Sequence, residues 1–284
     1  MTINWVGRGR TNSWFDANNW LPIGGAGARL PGPNDNVCIS NQTPDITVGY
    51  ANNTTTKIKS IETHEGVDVS AGELDVSDAS APSQSSDLTL AGGRLGGKGH
   101  VTITGAFGFT AGPLVGTGGT LVGGNVTVSV GGAGAKFLLR DLTVAGTLSW
   151  TGGDVRTGQG VVIRNDGVVA IDHSAATGLL FTAGGAVPTF VNAGSLVKKA
   201  GTGPTTLGIP VVNAGSIDAQ VGLLRMPRLT NAGSGHVRVE SGAVMDVTGP
   251  VTQAGAVTLL GKSQLSRAPT SSRPGERRCS RPAG

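Results

Sequence analysis

The sequence predicts an all-β fold, a parallel β-helix (solenoid) with coils of about 20 residues. Three observations carry that prediction. A three-residue phrase returns at constant phase: Val144-Ala145-Gly146, Asn165-Asp166-Gly167, then Asn-Ala-Gly from Asn192, Asn213 and Asn231, with a weaker copy from Gln253. The steps are 21, 27, 21, 18 and 22 residues, a period that marks a stacked repeat. Each phrase is followed by a short alternating run such as Ile217-Asp218-Ala219-Gln220-Val221, which reads as a half-buried strand rather than a helix. Composition agrees: among 284 residues there are 48 Gly, with 14% charged and 4% aromatic residues, far from an ordinary globular enzyme. No Gly-X-Y register exists, which excludes collagen, and the periodic Val and Leu argue against disorder.

In chain order, residues 1–37 form an aromatic N-terminal capping segment. Trp5, Trp14 and Trp20 cluster there, with Trp14-Phe15-Asp16-Ala17-Asn18-Asn19-Trp20 at its centre. The open end of a solenoid exposes apolar core and unpaired backbone, and bulky rings can plug it. The alternative role for the same rings is a platform on which a sugar stacks.

Residues 38–265 form the solenoid. Its first coils are irregular, with strands at Val37 to Ser40, Ile46 to Val48 and Lys57 to Ile61, and a polar loop from Ser77 to Ser86. Gly density peaks between Leu88 and Leu139, where glycine supplies the corners of a coiling ribbon. Aligned on the repeated phrase, Leu148, Val169, Leu196, Ile217 and Gly235 share one position. Trp150, Ile171, Lys198, Ala219 and Val237 share another. Both columns are predicted to face inward, with Lys198 an exception. Thr151, Asp172, Lys199, Gln220 and Arg238 share a third position, predicted to face solvent. Asn165, Asn192, Asn213 and Asn231 fall at one corner of successive coils, where stacked amides donate and accept along a structural ladder. The 27-residue step holds an insertion, His173 to Pro188, expected as a loop beside the stack.

The segments GGRLGGKGHVTITGAF, LRDLTVAGTLSWTGGDV and WFDANNW…PGPNDNVCI resemble Gly-rich repeat segments of large bacterial surface proteins, the autotransporter passengers and filamentous-haemagglutinin-type adhesins. The likeness spans residues 5–262. It implies a right-handed parallel β-helix, exported to the cell surface or beyond it, and often adhesive. Partners under that reading are glycans or proteins of a host or neighbouring cell surface. Met1 to Arg10 lacks the apolar stretch of a signal peptide.

Residues 266–284 are rich in Arg, Pro and Ser, without periodicity, and read as a disordered basic tail. The chain has 22 basic and 18 acidic residues. Removing the tail's five Arg and one Glu leaves 17 of each. A neutral body has no general attraction for nucleic acid or acidic membranes, and no run approaches the ~20 apolar residues of a membrane span.

The sequence carries near matches to catalytic and cofactor motifs but completes none of them. Gly96-Gly97-Lys98-Gly99-His100 and Gly131-Gly132-Ala133-Gly134-Ala135-Lys136 approximate a calcium-binding β-roll repeat but lack its carboxylate. Gly261-Lys262-Ser263 lacks the earlier glycine and the helix of a phosphate loop. Cys38 and Cys279 form no CxxC, and His64, His100, His173 and His236 form no metal-spaced pair. No cofactor, metal ion or catalytic residue is therefore expected. A ligand would meet the exposed strip Asp172, Lys199, Asp218, Gln220, His236 and Arg238. The expected function is a structural or adhesive, non-catalytic segment of a surface protein. The alternative is a carbohydrate-active β-helix: a glycan-binding module, or a lyase or glycosidase using paired carboxylates.

Overall fold

The computed structural model describes residues 1–25, 27–260 and 264–267. It is all-β, with a single 3-10 turn, Ala17–Asn19, and no α-helix among the described residues. No helix there is long and apolar enough to cross a membrane. The strands wind into about 11 coils spaced about 21 residues apart. Each regular coil contributes one strand to each of three parallel sheets. The first sheet includes Leu142–Val144, Val162–Asn165, Thr189–Asn192, Val211–Asn213, Leu229–Asn231 and Val251–Gln253. The second includes Thr147–Trp150, Val168–Asp172, Ser195–Ala200, Ser216–Ala219, His236–Val239 and Ala256–Leu259. The third includes Val155–Thr157, Thr177–Phe181, Thr205–Leu207, Leu223–Met226, Val244–Val247 and Gln264–Arg267. Parallel pairing at every step places equivalent residues of successive coils directly over one another, about 4.8 Å apart.

The lumen is filled by the inward half of each alternation. Leu148, Val169, Leu196, Ile217, Val237 and Val257 form one column. Trp150, Ile171, Lys198, Ala219, Val239 and Leu259 form the next. This corrects the sequence alignment at one coil. The loop after Asn231 is two residues longer than the loop after Asn213, so Val237 takes the position assigned to Gly235. Gly235 instead repeats the role of Gly215: His236 N–H bonds the Gly215 carbonyl as Ser216 N–H bonds that of Gly194, both at 2.8 Å. Lys198 is no exception to the inward column, because its side chain is fully buried.

Two further expectations change. The Ser77 to Ser86 loop ends early, since Ser83–Ala91 is a strand of the stack. The insertion from His173 is not all loop: Thr177–Phe181 pairs with Val155–Thr157 and Thr205–Leu207, and the residues after it stay stacked on the coil before, the Gln159 N–H reaching the Gly184 carbonyl at 2.8 Å and the Gly160 N–H that of Ala186 at 2.7 Å. In the early coils the strands run unbroken around corners, as in Thr47–Ile58 and Ser60–Val76. The buried Tyr50 holds one such corner, its hydroxyl 2.7 Å from the Glu73 carbonyl and accepting the Thr56 N–H at 3.0 Å. The solenoid pairing continues through Gln264–Arg267. The remainder of the basic tail lies outside the described residues.

The N-terminal end is closed. Thr2–Trp5 pairs on one side with Asn36–Ile39 in parallel and on the other with Trp20–Pro22, antiparallel. Trp14 and Trp20 are fully buried, 4.8 Å apart edge to face, and Trp5 meets Trp20 at 4.9 Å. Trp20 Nε1 donates to the Trp14 carbonyl at 2.7 Å. Edge-to-face rings add about 0.5–1.5 kcal/mol per pair to the burial of their area. The rings therefore face one another and the first coils, and none presents a face on which a sugar ring could stack.

Candidate ligand-facing strip

The strip residues lie on the outer surface of the second sheet or at its edge. Period-two alternation produces this directly, since their neighbours Ile171, Lys198, Ala219 and Val239 point into the lumen. Asp218 and Arg238 are adjacent in one column, the position of Ala170 and Val197 in earlier coils. Arg238 thus belongs with Asp218, not with Asp172 and Gln220 as the alignment had it. The displacement is the same two-residue slip after Asn231. His236 occupies a second column, over Ser216 and Ser195. Lys199 is the extra residue of a bulge: Lys198 pairs with Ile171 and Ala200 with Asp172. The six residues therefore share a face but do not converge on a point.

Three of the six, Asp218, Gln220 and Arg238, already have side-chain partners, although Asp218 Oδ1 is buried without one. Gln220 Nε2 donates to Asp218 Oδ2 at 2.8 Å, and Arg238 pairs with Glu240 at 2.5 Å. Elsewhere on the lateral faces Arg94 pairs with Glu73, Arg164 with Asp166 and Arg225 with Asp246, at 2.9, 2.7 and 2.8 Å. Asp154 accepts the Gly178 N–H at 2.8 Å. Among the described residues, no three His, Cys, Asp or Glu side chains gather in a way that would hold a metal ion.

The asparagines stand in the first sheet, each the last residue of its strand and buried. Asn165 Nδ2 donates to Asn192 Oδ1, Asn192 Nδ2 to Asn213 Oδ1, and Asn213 Nδ2 to Asn231 Oδ1, each at 2.7 Å. The second hydrogen of each amide reaches a backbone carbonyl one coil on, at Ser195, Ser216 and His236. The row begins at Asn165 because Val144 occupies the position above it. Asn165 Oδ1 is accordingly buried without a hydrogen-bond partner.

Sequence reasoning missed a second polar feature, three cations sealed in the corners. Lys136 Nζ lies 2.9, 3.1 and 3.1 Å from the carbonyls of Gly131, Gly132 and Gly134. Arg140 donates to the carbonyls of Gly118, Gly99 and Gly119 at 2.8, 2.7 and 2.9 Å. Lys198 Nζ reaches only that of Gly201, at 3.2 Å. Burial lowers the pKa of both lysines and brings Arg140 down to about 10. Beside Lys198, the buried His173 accepts or donates at 3.0 Å to Thr205 Oγ1 through Nε2, and its Nδ1 lies 2.8 Å from the Ala175 carbonyl. Desolvation, and secondarily the Lys198 charge, holds its pKa below the usual histidine value. For the two lysines the sequence signal was there: Gly-rich turns leave carbonyls that need donors, and a long cation two to five residues away can supply them, whereas Arg140 reaches carbonyls 21 to 41 residues back and carries no such local signal.

One space lies in the lumen and several lie on the outer surface, among them open grooves beside Arg225 and Asp246 (about 440 Å³) and beside Lys57 and Asp75 (about 390 Å³). The lumen holds an apolar void of about 50 Å³ between Phe107, Trp150, Leu196 and their neighbours, too small and too dry for a sugar. An open polar groove of about 450 Å³ lies at the corner between the first two sheets, lined by Asn41, Asp45, His64, Glu65 and Asp87. Two of its three acids hold backbone in place. Glu65 accepts the N–H groups of Gln42 and Ile46 at 2.6 and 2.7 Å, and Asp87 that of Ala106 at 2.5 Å.

Compared with protein-family models, curated proteins and solved structures, the chain matches none.

Proposed function

We propose that the chain is a structural or adhesive segment of a bacterial exported surface protein, acting outside the cell or on its surface without catalysis. The observation that carries this reading is the engagement of the lateral charges. Glu73, Asp154, Asp166, Asp246 and Glu240 each hold an arginine or a backbone N–H. A hydrolytic site needs two carboxylates free to exchange protons across a sugar. What the solenoid offers instead is length, a sealed core and a repeating charged surface suited to a broad, weak contact with a glycan or a cell-surface protein.

The groove beside His64 supports the alternative, a glycan-binding module, because it is open, polar and has the dimensions of a small-ligand site. The two readings separate on a glycan array probed with the full chain at raised salt, which screens the basic tail. Selective binding abolished by His64→Ala or Asp45→Ala identifies the groove. Binding abolished instead by Asp172→Ala with Lys199→Ala identifies the strip. Cleavage of a bound glycan would overturn the non-catalytic reading, and an array with no binding removes the carbohydrate alternative for the sugars sampled.

A further inference from the structure

The cap carries a smaller groove of its own, about 150 Å³, between two loops, residues 7–12 and 42–46, with the buried Trp5 in its wall. Loops are costly to order, and here each is pinned by a buried polar side chain. Asn19 accepts the Gly9 N–H through Oδ1 at 2.8 Å and donates through Nδ2 to the Thr11 and Ser13 carbonyls at 2.9 and 3.0 Å. The Asn12 carbonyl accepts the Gly49 N–H at 2.8 Å, which ties this loop to the stack. Glu65 fixes the second loop through the Gln42 and Ile46 N–H groups. The pinned first loop holds Arg10 in a left-handed backbone, φ 60°, a conformation that costs any residue but glycine free energy. Among the described residues one other non-glycine does this, Gln159 at φ 61°, and its side chain serves the fold by donating to the Ala183 carbonyl at 3.4 Å. The Arg10 guanidinium has no hydrogen-bond or ion-pair partner among the described residues.

We propose that this groove binds one ring of an acidic sugar, a hexuronate unit, through its carboxylate and hydroxyls. The inference deepens the glycan-binding reading given above and rests on it. The acids nearest Arg10 are engaged: Asp16 accepts the Thr11 hydroxyl at 3.1 Å and the Asn18 N–H at 3.0 Å, and Glu65 holds its two backbone donors. Asp45 lines the neighbouring groove instead. The guanidinium is therefore a cation without a counter-charge, and its fork matches a carboxylate through two parallel bonds. Beside it stand unengaged neutral groups, the Asn12 carboxamide and the Thr43 hydroxyl. Gln42 turns its Nε2 away to the Ser40 carbonyl at 2.8 Å and leaves Oε1 toward Gly7, across the groove. Donors and an acceptor set next to one cation suit a carboxylate that carries hydroxyls, whereas a simple anion would leave them unused. The volume is below that of sites for drug-sized ligands, so a single ring is the fitting occupant. Because no tryptophan face is open, binding comes from the guanidinium and the hydrogen bonds, not from stacking.

The test is saturation-transfer NMR on the full chain with glucuronate as the probe, glucose as its uncharged match and acetate as the carboxylate alone. Glucuronate is expected to bind in the millimolar range, about tenfold or more tighter than either. Arg10→Gln is expected to weaken it by about tenfold or more, and Arg10→Lys to restore only part of the loss, since a point charge replaces the fork. Arg10→Gly covers the case in which those variants disturb the cap. Glycine accepts the left-handed backbone, so its melting midpoint should be no lower than that of the native chain while binding is lost. Arg228→Gln, at an exposed cation far along the stack, should leave binding unchanged. Equal binding of glucose or acetate, no glucuronate signal up to tens of millimolar, or an affinity unmoved by Arg10→Gln would each overturn the inference. Selective glycan-array binding that survives Arg10→Gln overturns this site alone and leaves the glycan-binding reading standing.

Discussion

Gly215 and Gly233 close the same phrase, Asn-Ala-Gly, and differ in consequence. An added Cβ at Gly215 would sit 2.0 Å from the Gly194 carbonyl oxygen and 2.6 Å from that of Ala193. Neither oxygen can retreat cheaply, because the Gly194 carbonyl accepts the Ser216 N–H at 2.8 Å, and the Gly215 N–H itself reaches the Asn192 carbonyl at 3.0 Å. A separation near 3.2 Å requires the two coils to part by about 1 Å, which disrupts both of those bonds and the Asn192–Asn213 amide bond beside them. At about 1 kcal/mol net for each, Gly215→Ala is expected to cost about 3 kcal/mol. Around Gly233 nothing lies within 4 Å, and its backbone is not left-handed. Gly233→Ala should therefore be neutral or stabilising by about 0.5 kcal/mol, through the unfolded state. Urea unfolding followed by far-UV circular dichroism gives the two midpoints. Amide exchange across residues 195–219 locates the loss in case the stack unfolds coil by coil. Equal effects for the two alanines would refute the register on which this reasoning rests.

The ladder predicts that Asn192→Leu strips Asn213 Oδ1 of its donor and Asn165 Nδ2 of one acceptor. The cost is about 2–4 kcal/mol, and Asn231→Leu, at the end of the row, should cost less in the same unfolding assay. Lys198→Met replaces a cation holding one carbonyl and should change stability by less than about 1 kcal/mol, whereas Lys136→Met removes a donor from three carbonyls and should destabilise by about 2 kcal/mol or more. Thermal melts of the two variants side by side decide this. His173 has a folded pKa below its ordinary 6.5, so the unfolded chain binds its proton first. Its contribution is complete above pH 6.5 and is lost as pH falls through that value toward the folded one. Urea midpoints from pH 7.5 to 4.5 should show that loss in the native chain and a flatter profile in His173→Gln.

Much of the architecture was legible because a solenoid writes its period into the chain. The phrase from Asn165 to Asn231 located the corners, and alternation assigned the faces. Legibility failed where equal letters do different work. Nothing in Asn231-Ala232-Gly233 reveals that Ser234 and Gly235 follow as extra residues, yet they move Arg238 from one column to its neighbour. Lys198 looked like an outward residue because its head is charged, but its stem lies along the lumen wall and its amine ends on a turn carbonyl. The tryptophans could be read as cap or platform because ring type does not report which face is covered. Asp172, Lys199 and Asp218 share a surface in the sequence and in the structure, but the bulge at Lys199 arises from backbone pairing that no side-chain pattern encodes.

The asparagine row also bears on how the molecule carries force. Its bonds run parallel to the solenoid axis, so a pull along that axis loads the coil-to-coil contacts in series, and the weakest junction yields first. Between Asn165 and Asn231 each junction gains an asparagine link, one amide bond to the next asparagine and one to a backbone carbonyl, in addition to its three strands. Above Asn165, where Val144 takes the place of an amide, that link is missing. Under tension the stack should therefore part outside the asparagine coils, which would separate as one stiff block.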